Sequence, residues 1–502
     1  MTPYLLVDFG TTSIKSALVD LDTGFLTHPR QHAAVPASGR SSGRSEVPLV
    51  ALRERFLEIC QEYSDAADTP LAGVQVCSEM HGFAVLDPAG NPATPYIGWR
   101  DARCTEPLSG ESTLDLVAGE TGGAFHRITG MQPRAGLALL NLIHLGRQGL
   151  LPPEGQVVSL PGWLARCSGM SAGIDHATLL AAMAVYDIQQ QTLAPSLLQL
   201  VRDMGSFLAR FDTPAAIGRR AGWCQTGKSC LPVYVGAGDH QTSVLGAGLL
   251  SAGAVSLNLG TGSQVSILTE HALLPGVSDA AARGMDSSRP GEPPGKPHGP
   301  STLLATRDHS GPDVETRPYF AGRMLHTVTH VPAGRALNSF MALLQEAAGN
   351  HTDLWARMAQ LSADQVRAAD LHIDLRVFPG SGGGRQGGSI DGITESNLTL
   401  TNYLASLLRC FCAQYPPVCR RLDPAGNLQR CLLSGGLARS LPVVARILEL
   451  ETGYEIRRAA PLDESLLGLR ALALVDAHRA SDPLASWPMY GSTCQYHESS
   501  SC

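Results

Sequence analysis

Val7-Asp8-Phe9-Gly10-Thr11-Thr12-Ser13 and Asn258-Leu259-Gly260-Thr261-Gly262-Ser263 stand roughly 250 residues apart and read as one element used twice. Residues 4–7 are an apolar run into the first turn and residues 14–19 leave it; Val255, Leu257 and Leu259 alternate into the second, and Val265 and Ile267 alternate out. Apolar residues at period two on both sides of a glycine-bearing turn predict a β-hairpin. Glycine lets the tip backbone come close to a ligand, successive N–H groups form an anion-binding nest, and threonine or serine hydroxyls add donors. Two such tips facing each other suit a polyphosphate.

The repeat splits a chain of 502 residues, too long for one ordinary core, into two halves. The expected domains are 1–247 and 248–480, with an unstructured tail over 481–502. Residues 277–315, rich in proline, glycine and serine and without periodicity, are expected to be a disordered insertion in the second domain. Lysine plus arginine total 38 against 45 acidic residues, a net charge of −7, which argues against a nucleic-acid surface. No apolar run approaches the roughly 18 to 20 residues of a membrane-spanning helix. Met1-Thr2-Pro3-Tyr4 runs straight into the first strand without a secretory leader, so a cytoplasmic protein with its 12 cysteines reduced is expected.

Strands and helices alternate along the chain, which sets the class as α/β. Helical spacing is read over 50–63, 137–151, 177–200, 336–347 and 398–415. A strand over 73–77 delivers Ser78-Glu79-Met80-His81-Gly82, and another over 231–235 ends at Gly236-Ala237-Gly238-Asp239. Asp239 is the acid singled out: small residues surround it at a strand end, where ligands of α/β sheets gather. A carboxylate there suits removal of a proton from an attacking hydroxyl, an effect worth typically about 10² to 10⁴ in rate; a helix-capping aspartate is the alternative. Asp8 at the first turn, together with Asp239, is a candidate for holding magnesium through water, because that ion favours carboxylates and phosphates and keeps part of its hydration shell.

Two patterns mislead. Gly222-Trp223-Cys224-Gln225-Thr226-Gly227-Lys228-Ser229 satisfies a P-loop letter by letter, but a strand follows it where a phosphate-facing helix is required, so it is read as a surface turn. His326 and His330 have the spacing of a helical metal pair, yet the β-branched residues between them favour a strand.

The motifs around Asp8-Phe9-Gly10-Thr11-Thr12-Ser13, Gly236-Ala237-Gly238-Asp239, Gly260-Thr261-Gly262-Ser263 and Ser434-Gly435-Gly436, in that order, resemble the FGGY carbohydrate kinases over most of residues 4–473. The resemblance implies an actin-like ATPase fold, two ribonuclease H-like α/β domains around a central cleft. It implies that Gly10, Thr11, Thr12 and Ser13 with Gly260, Thr261, Gly262 and Ser263 hold the phosphates of ATP, that Gly435, Gly436 and Ser440 adjoin the adenosine, and that Asp239 is the general base. Ser440 stands where members often carry asparagine. Met80-His81-Gly82 and Trp99-Arg100-Asp101 resemble the elements with which ketose kinases hold the sugar, His81 and Asp101 pairing with hydroxyls and Trp99 covering a carbon face; Glu79 stands where glutamine is expected.

Trp99-Arg100-Asp101-Ala102-Arg103-Cys104 and Arg317-Pro318-Tyr319-Phe320 are most similar to the sedoheptulokinase branch, with xylulokinases next. The expectation is therefore an ATP- and magnesium-dependent kinase acting on the primary hydroxyl of a ketose, sedoheptulose first. Its expected partners are ATP and the ketose, with no nucleic acid or membrane, and a homodimer is left open. A non-catalytic sugar or nucleotide sensor on the same fold is the rival, against which the intact Asp239 argues.

Overall fold

The computed structural model describes residues 2–39, 43–166, 174–227, 229–270, 314–348, 353–377, 387–460 and 462–489. Both expected hairpins form. Strand Pro3–Phe9 pairs antiparallel with Ser13–Asp20, and Ala254–Leu259 pairs antiparallel with Gly262–Thr269. In each half the first hairpin strand takes a parallel neighbour on its other side, Gly73–Ser78 in the first and Arg430–Ser434 in the second. The same arrangement thus appears twice, inside a seven-stranded sheet and a six-stranded sheet. Strands such as Pro3–Phe9 are apolar on both faces because both are covered, as expected where parallel pairing carries the sheet interior.

One apolar cluster lies wholly in the second half, around Leu257, Val328, Leu407 and Ile447. Two lie in the first, one beneath its sheet and one around helix Ala138–Arg147. A fourth joins the halves, drawing Tyr4, Leu6 and Val19 together with Leu245, Leu325, Leu467 and Leu472. At its centre helices Asp239–Gly246 and Glu464–Asp476 cross. A methyl group at Gly246 would fall 1.8 Å from the Glu464 carbonyl oxygen, and one at Gly468 1.9 Å from that of Thr242. Only glycine permits this approach. Helix Glu464–Asp476, though late in the chain, packs on strands Pro3–Phe9 and Gly73–Ser78 of the first half.

Several sequence expectations need correction. Residues 177–200 are not one helix: Ala177–Ala182 and Pro195–Gly205 flank a two-stranded ribbon, Tyr186–Asp187 with Thr192–Leu193. Asp187 Oδ1 accepts from the amides of Gln189 and Gln190, and this side-chain turn competes with helix continuation. Of the expected insertion 277–315, residues 277–313 lie outside those described, but Val314 and Glu315 open a strand, Val314–Pro318, that pairs with Met324–Pro332. The expected tail begins as structure: Asp482 caps a short helix, Pro483–Ser486, and the Trp487 ring lies beside Gly248; residues 490–502 are outside those described.

The P-loop look-alike is a hairpin, Arg220–Thr226 against Ser229–Tyr234, turning at Gly227 with φ 48°; Lys228 lies outside the described residues. His326 and His330 lie on strand Met324–Pro332, and no cluster of metal-ligating side chains occurs among the described residues.

Candidate active site

Asp239 is the first residue of its helix, with Gly238 as the cap, so it does not serve as the N-cap. Its Oδ1 accepts from the His240 amide at 2.7 Å. The carboxyl is partly exposed yet closely surrounded, and its pKa rises from 3.8 to about 7: removal from water is the main cause, and the charges of Asp8 and Glu79 add to it. A carboxylate with that affinity for protons suits a base working near neutrality.

Asp8 is buried at the end of strand Pro3–Phe9. Burial pushes its carboxyl above the usual range, opposed by Lys15 and by the Ser465 hydroxyl, which donates to Oδ2 at 2.6 Å. Lys15 in turn pairs with Asp463 at 2.7 Å, the residue whose side chain caps helix Glu464–Asp476. The next residue, Glu464, accepts from the Gly435 amide at 2.9 Å and from Arg439 at 2.8 Å. The first turn of one helix therefore ties the first hairpin to the glycine turn of the second half.

The two tips are built differently. At the first, a methyl at Gly10 would meet the Ser13 carbonyl at 2.9 Å, the Thr11 hydroxyl donates to Glu79 Oε2 at 2.5 Å, and Trp99 Nε1 donates to Thr11 at 2.9 Å; Thr12 is exposed. At the second, Gly260 and Gly262 would meet no atom closer than 3.5 Å and Thr261 is exposed, so the protein itself leaves that space open. Ser263 departs from expectation: it is fully buried and its hydroxyl is bonded to Tyr415 at 2.6 Å, leaving only backbone to face the tip. Gly435 has φ +94° and no room for a side chain beside Leu259, whereas Gly436 opens onto free space. Ser440 is exposed at the end of helix Gly436–Ser440, its hydroxyl 3.4 Å from the Leu437 carbonyl.

On the expected sugar side, Trp99 is partly exposed and carries Arg100 over its ring at 5.0 Å. Met80 is buried with its sulfur against Gly238, and Gly82 leaves the space that the Tyr96 hydroxyl fills. Asp101 does not match the expectation of a hydroxyl ligand. It is 0% exposed, its oxygens accept from the Arg103 guanidinium, both at 2.7 Å, and from the Ser45 amide at 2.8 Å. Burial opposes its ionisation, but Arg103 and Ser45 hold the carboxyl below its ordinary pKa. It braces the loop rather than lining a pocket.

His81 is likewise committed to the protein. It adopts φ +70°, its Nδ1 sits 2.5 Å from the Ala182 carbonyl, and Arg134 Nη2 lies 3.3 Å from its Nε2. Nδ1 thus carries the hydrogen and Nε2 accepts. Burial first, then Arg134 and Arg317, holds the ring neutral, with its pKa well below the usual histidine range.

A charged network with no local sequence signature enters from the second half. Glu315 and Arg317 on strand Val314–Pro318 are paired at 2.5 Å, and Arg317 Nη1 lies 3.1 Å from His240 Nδ1, next to Asp239. Arg134 reaches Glu315 at 3.4 Å, and the Thr316 amide donates to the Gly130 carbonyl. Burial alone would raise the Glu315 carboxyl, yet Arg317 and Arg134 hold it well below the carboxylate range. Arg317 had been noticed only as part of a motif. The pairing partner Met324–Pro332 was the available signal, since a strand there needs a neighbour.

As for magnesium, the charge of Asp8 raises the proton affinity of Asp239, a repulsion that a divalent cation held through water by the two would relieve. The donor set fits a hydrated oxygen-seeking ion and offers no enclosed all-protein cage.

No protein-family model matches the chain. A xylulose kinase of Staphylococcus xylosus is 29% identical over 104 residues, which are 20% of this chain and only 21% of that protein. Solved structures match over nearly the whole length. The xylulose kinase from Rhodospirillum rubrum superposes with a TM-score of 0.74 at 18% identity, covering 97% of this chain and 92% of the other. The gluconate kinase from Lactobacillus acidophilus gives 0.75 at 14%, with the same coverage. Plasmodium falciparum glycerol kinase with ADP gives 0.72 at 12%, covering 98% and 92%. Identities this low speak for the fold, and the fold is the actin-like ATPase fold seen in the FGGY carbohydrate kinases.

Proposed function

We propose that this protein is an ATP-dependent carbohydrate kinase that phosphorylates the primary hydroxyl of a ketose, sedoheptulose in the first place and xylulose in the second. The observation that carries the reading is Asp239: a partly exposed carboxylate with a pKa near 7, at a helix start between Asp8 and Glu79, on a fold whose solved relatives include xylulose, gluconate and glycerol kinases.

In this reading Asp239 accepts the proton of the acceptor hydroxyl as its oxygen attacks the terminal phosphorus of ATP, the bond from that phosphorus to the bridging oxygen breaks, and ADP leaves. The hairpin tips bind the phosphates through backbone N–H groups and the hydroxyls of Thr12 and Thr261, and Gly436 leaves room for the adenosine. Magnesium, held through water by Asp8 and Asp239, would neutralise phosphate charge. Trp99 supplies a face for the sugar carbons while its indole N–H fixes Thr11, linking acceptor and phosphate sides. Catalysis on this plan rests on placement and electrostatics, and exclusion of water protects ATP from hydrolysis.

The test is release of ADP by the purified protein with magnesium-ATP and a panel of five- to seven-carbon ketoses, repeated with Asp239→Asn. Ketose-dependent release that collapses in the variant is expected; a well-folded wild type that releases no ADP with any sugar overturns the reading.

A further inference from the structure

The charged network beside the candidate base is unevenly satisfied. Arg317 spends Nε and Nη2 on Glu315 at 3.0 and 2.5 Å and Nη1 on His240 at 3.1 Å. Arg134 is different. Among the described residues only its Nη2 has partners, both at the long end, His81 at 3.3 Å and Glu315 at 3.4 Å. Its Nε is enclosed without a partner, although the side chain as a whole stays 26% exposed. A guanidinium carries five donors in a planar fork, so most of this one remains unused, and an enclosed donor without an acceptor is unfavourable.

The surrounding charge does not cancel it. Two arginines, Arg134 and Arg317, face one glutamate, Glu315. Followed bond by bond, the network runs from Arg134 to Glu315, Arg317 and His240, the residue after Asp239 in sequence, which puts Arg134 and Asp239 at its two ends. The side chains that the sequence had assigned to sugar hydroxyls, His81 beside Arg134 and Asp101 elsewhere, have their polar atoms engaged within the protein.

We infer that Arg134 is a specificity-determining contact for the acceptor, its guanidinium taking an oxygen-bearing group at the end remote from the phosphorylated hydroxyl. This deepens the proposed kinase reading and rests on it. The shared chemistry is a hydrogen-bond-accepting oxygen with no donor requirement: the carbonyl or hemiketal oxygen of a ketose, or the carboxylate of a sugar acid. A carboxylate matches the fork with two parallel bonds, whereas a ketose oxygen uses one or two donors separately.

The experiment measures steady-state rates of the full-length protein with magnesium-ATP on ketoses and aldonates of matched length, for wild type, Arg134→Gln and Arg134→Lys. Arg134→Gln is expected to raise KM for the preferred acceptor by about tenfold or more, the scale of a lost hydrogen bond to a charged group, with kcat and KM for ATP little changed. Arg134→Lys should recover only part, since it keeps the charge but lacks the fork. A wild-type preference for aldonate that vanishes in Arg134→Gln identifies a carboxylate; a ketose preference with a raised ketose KM identifies a neutral oxygen.

Acceptor-induced elevation of Tm, measured without turnover, should be present in wild type and absent in Arg134→Gln. An unchanged acceptor KM overturns the inference, as does a parallel loss of Tm, kcat and both KM values, which marks a structural brace only. Should Arg134→Gln fail to fold, Arg134→Lys decides by the same KM criterion. The two readings fail separately: absence of ADP release with every acceptor removes the kinase, while turnover that ignores Arg134 removes only this contact.

Discussion

The two hairpins share a backbone plan and differ in what restrains their tips. The first is tied sideways, Thr11 to Glu79 and Trp99, and backwards through Lys15 to Asp463. The second is held from behind, where the amides of Gly334 and Arg335, at the start of helix Gly334–Ala348, donate to the carbonyls of Gly260 and Thr261, and Ser263 turns inward to Tyr415. Among the described residues, nothing lies closer than 3.5 Å to where a side chain at Gly260 or Gly262 would point. One local element has thus been given two settings by its neighbours, which in the proposed kinase reading become a tip that couples acceptor to phosphate and a tip that offers only a phosphate grip.

The largest expected effect sits beside the first hairpin. Asp239→Asn should lower ketose-dependent ADP release by roughly 10² to 10⁴, with circular dichroism unchanged. The same substitution should raise stability above neutral pH. The folded-state pKa of Asp239, about 7, exceeds its ordinary 3.8, so the folded protein keeps a proton that the unfolded chain gives up. That contribution to stability is present at low pH and is lost as pH climbs from about 4 through 7, the window in which the Tm gap between variant and wild type should open. A gap that narrows with rising pH contradicts the assignment.

The junction of the halves comes next. Gly468→Ala places a methyl 1.9 Å from the Thr242 carbonyl, where backbone must move, and should cost about 1 to 3 kcal/mol or more, seen as a lower Tm and a lower urea midpoint. A stable Gly468→Ala protein would mean that the helices do not cross this tightly.

A paired substitution sharpens the contrast between the tips. Thr11→Ala should raise KM for the sugar, because Trp99 and Glu79 lose their common partner, whereas Thr261→Ala should act on KM for ATP alone. Each effect is expected at about three- to tenfold, the range of a single hydrogen bond. Matching effects of both on ATP would erase the distinction.

The pH profile tests the same carboxyl independently. With Asp239 as base, kcat/KM should fall on the acid side and level off once the carboxyl is ionised, at about pH 7 or lower where bound magnesium favours the ionised form. A profile flat from pH 5 to 8 assigns the proton transfer elsewhere.

Much of this was legible in the chain. Period-two runs flanking Gly10 and Gly260 fixed both hairpins, the apolar strands over 73–77 and 231–235 led to His81 and Asp239, and the strand after Gly227 excluded the P-loop reading. These features depend on residues within a few positions of one another, and backbone geometry is what local pattern encodes.

Which partner a polar side chain takes is not encoded that way. Ser465 and Asp8 are 457 residues apart in sequence, yet their hydrogen bond holds the first hairpin to the second half. Asp101 and His81 have the right chemistry for sugar hydroxyls, but Arg103, Ala182 and Arg134 reach them first. Glu315 and Arg317 matter only because the second sheet's edge strand is laid against the first half. The sequence by itself determined where strands turn and which acid stands at a strand end; the tertiary structure decided which side chains remain free to act, because burial and distant neighbours settle the competition for each hydrogen bond.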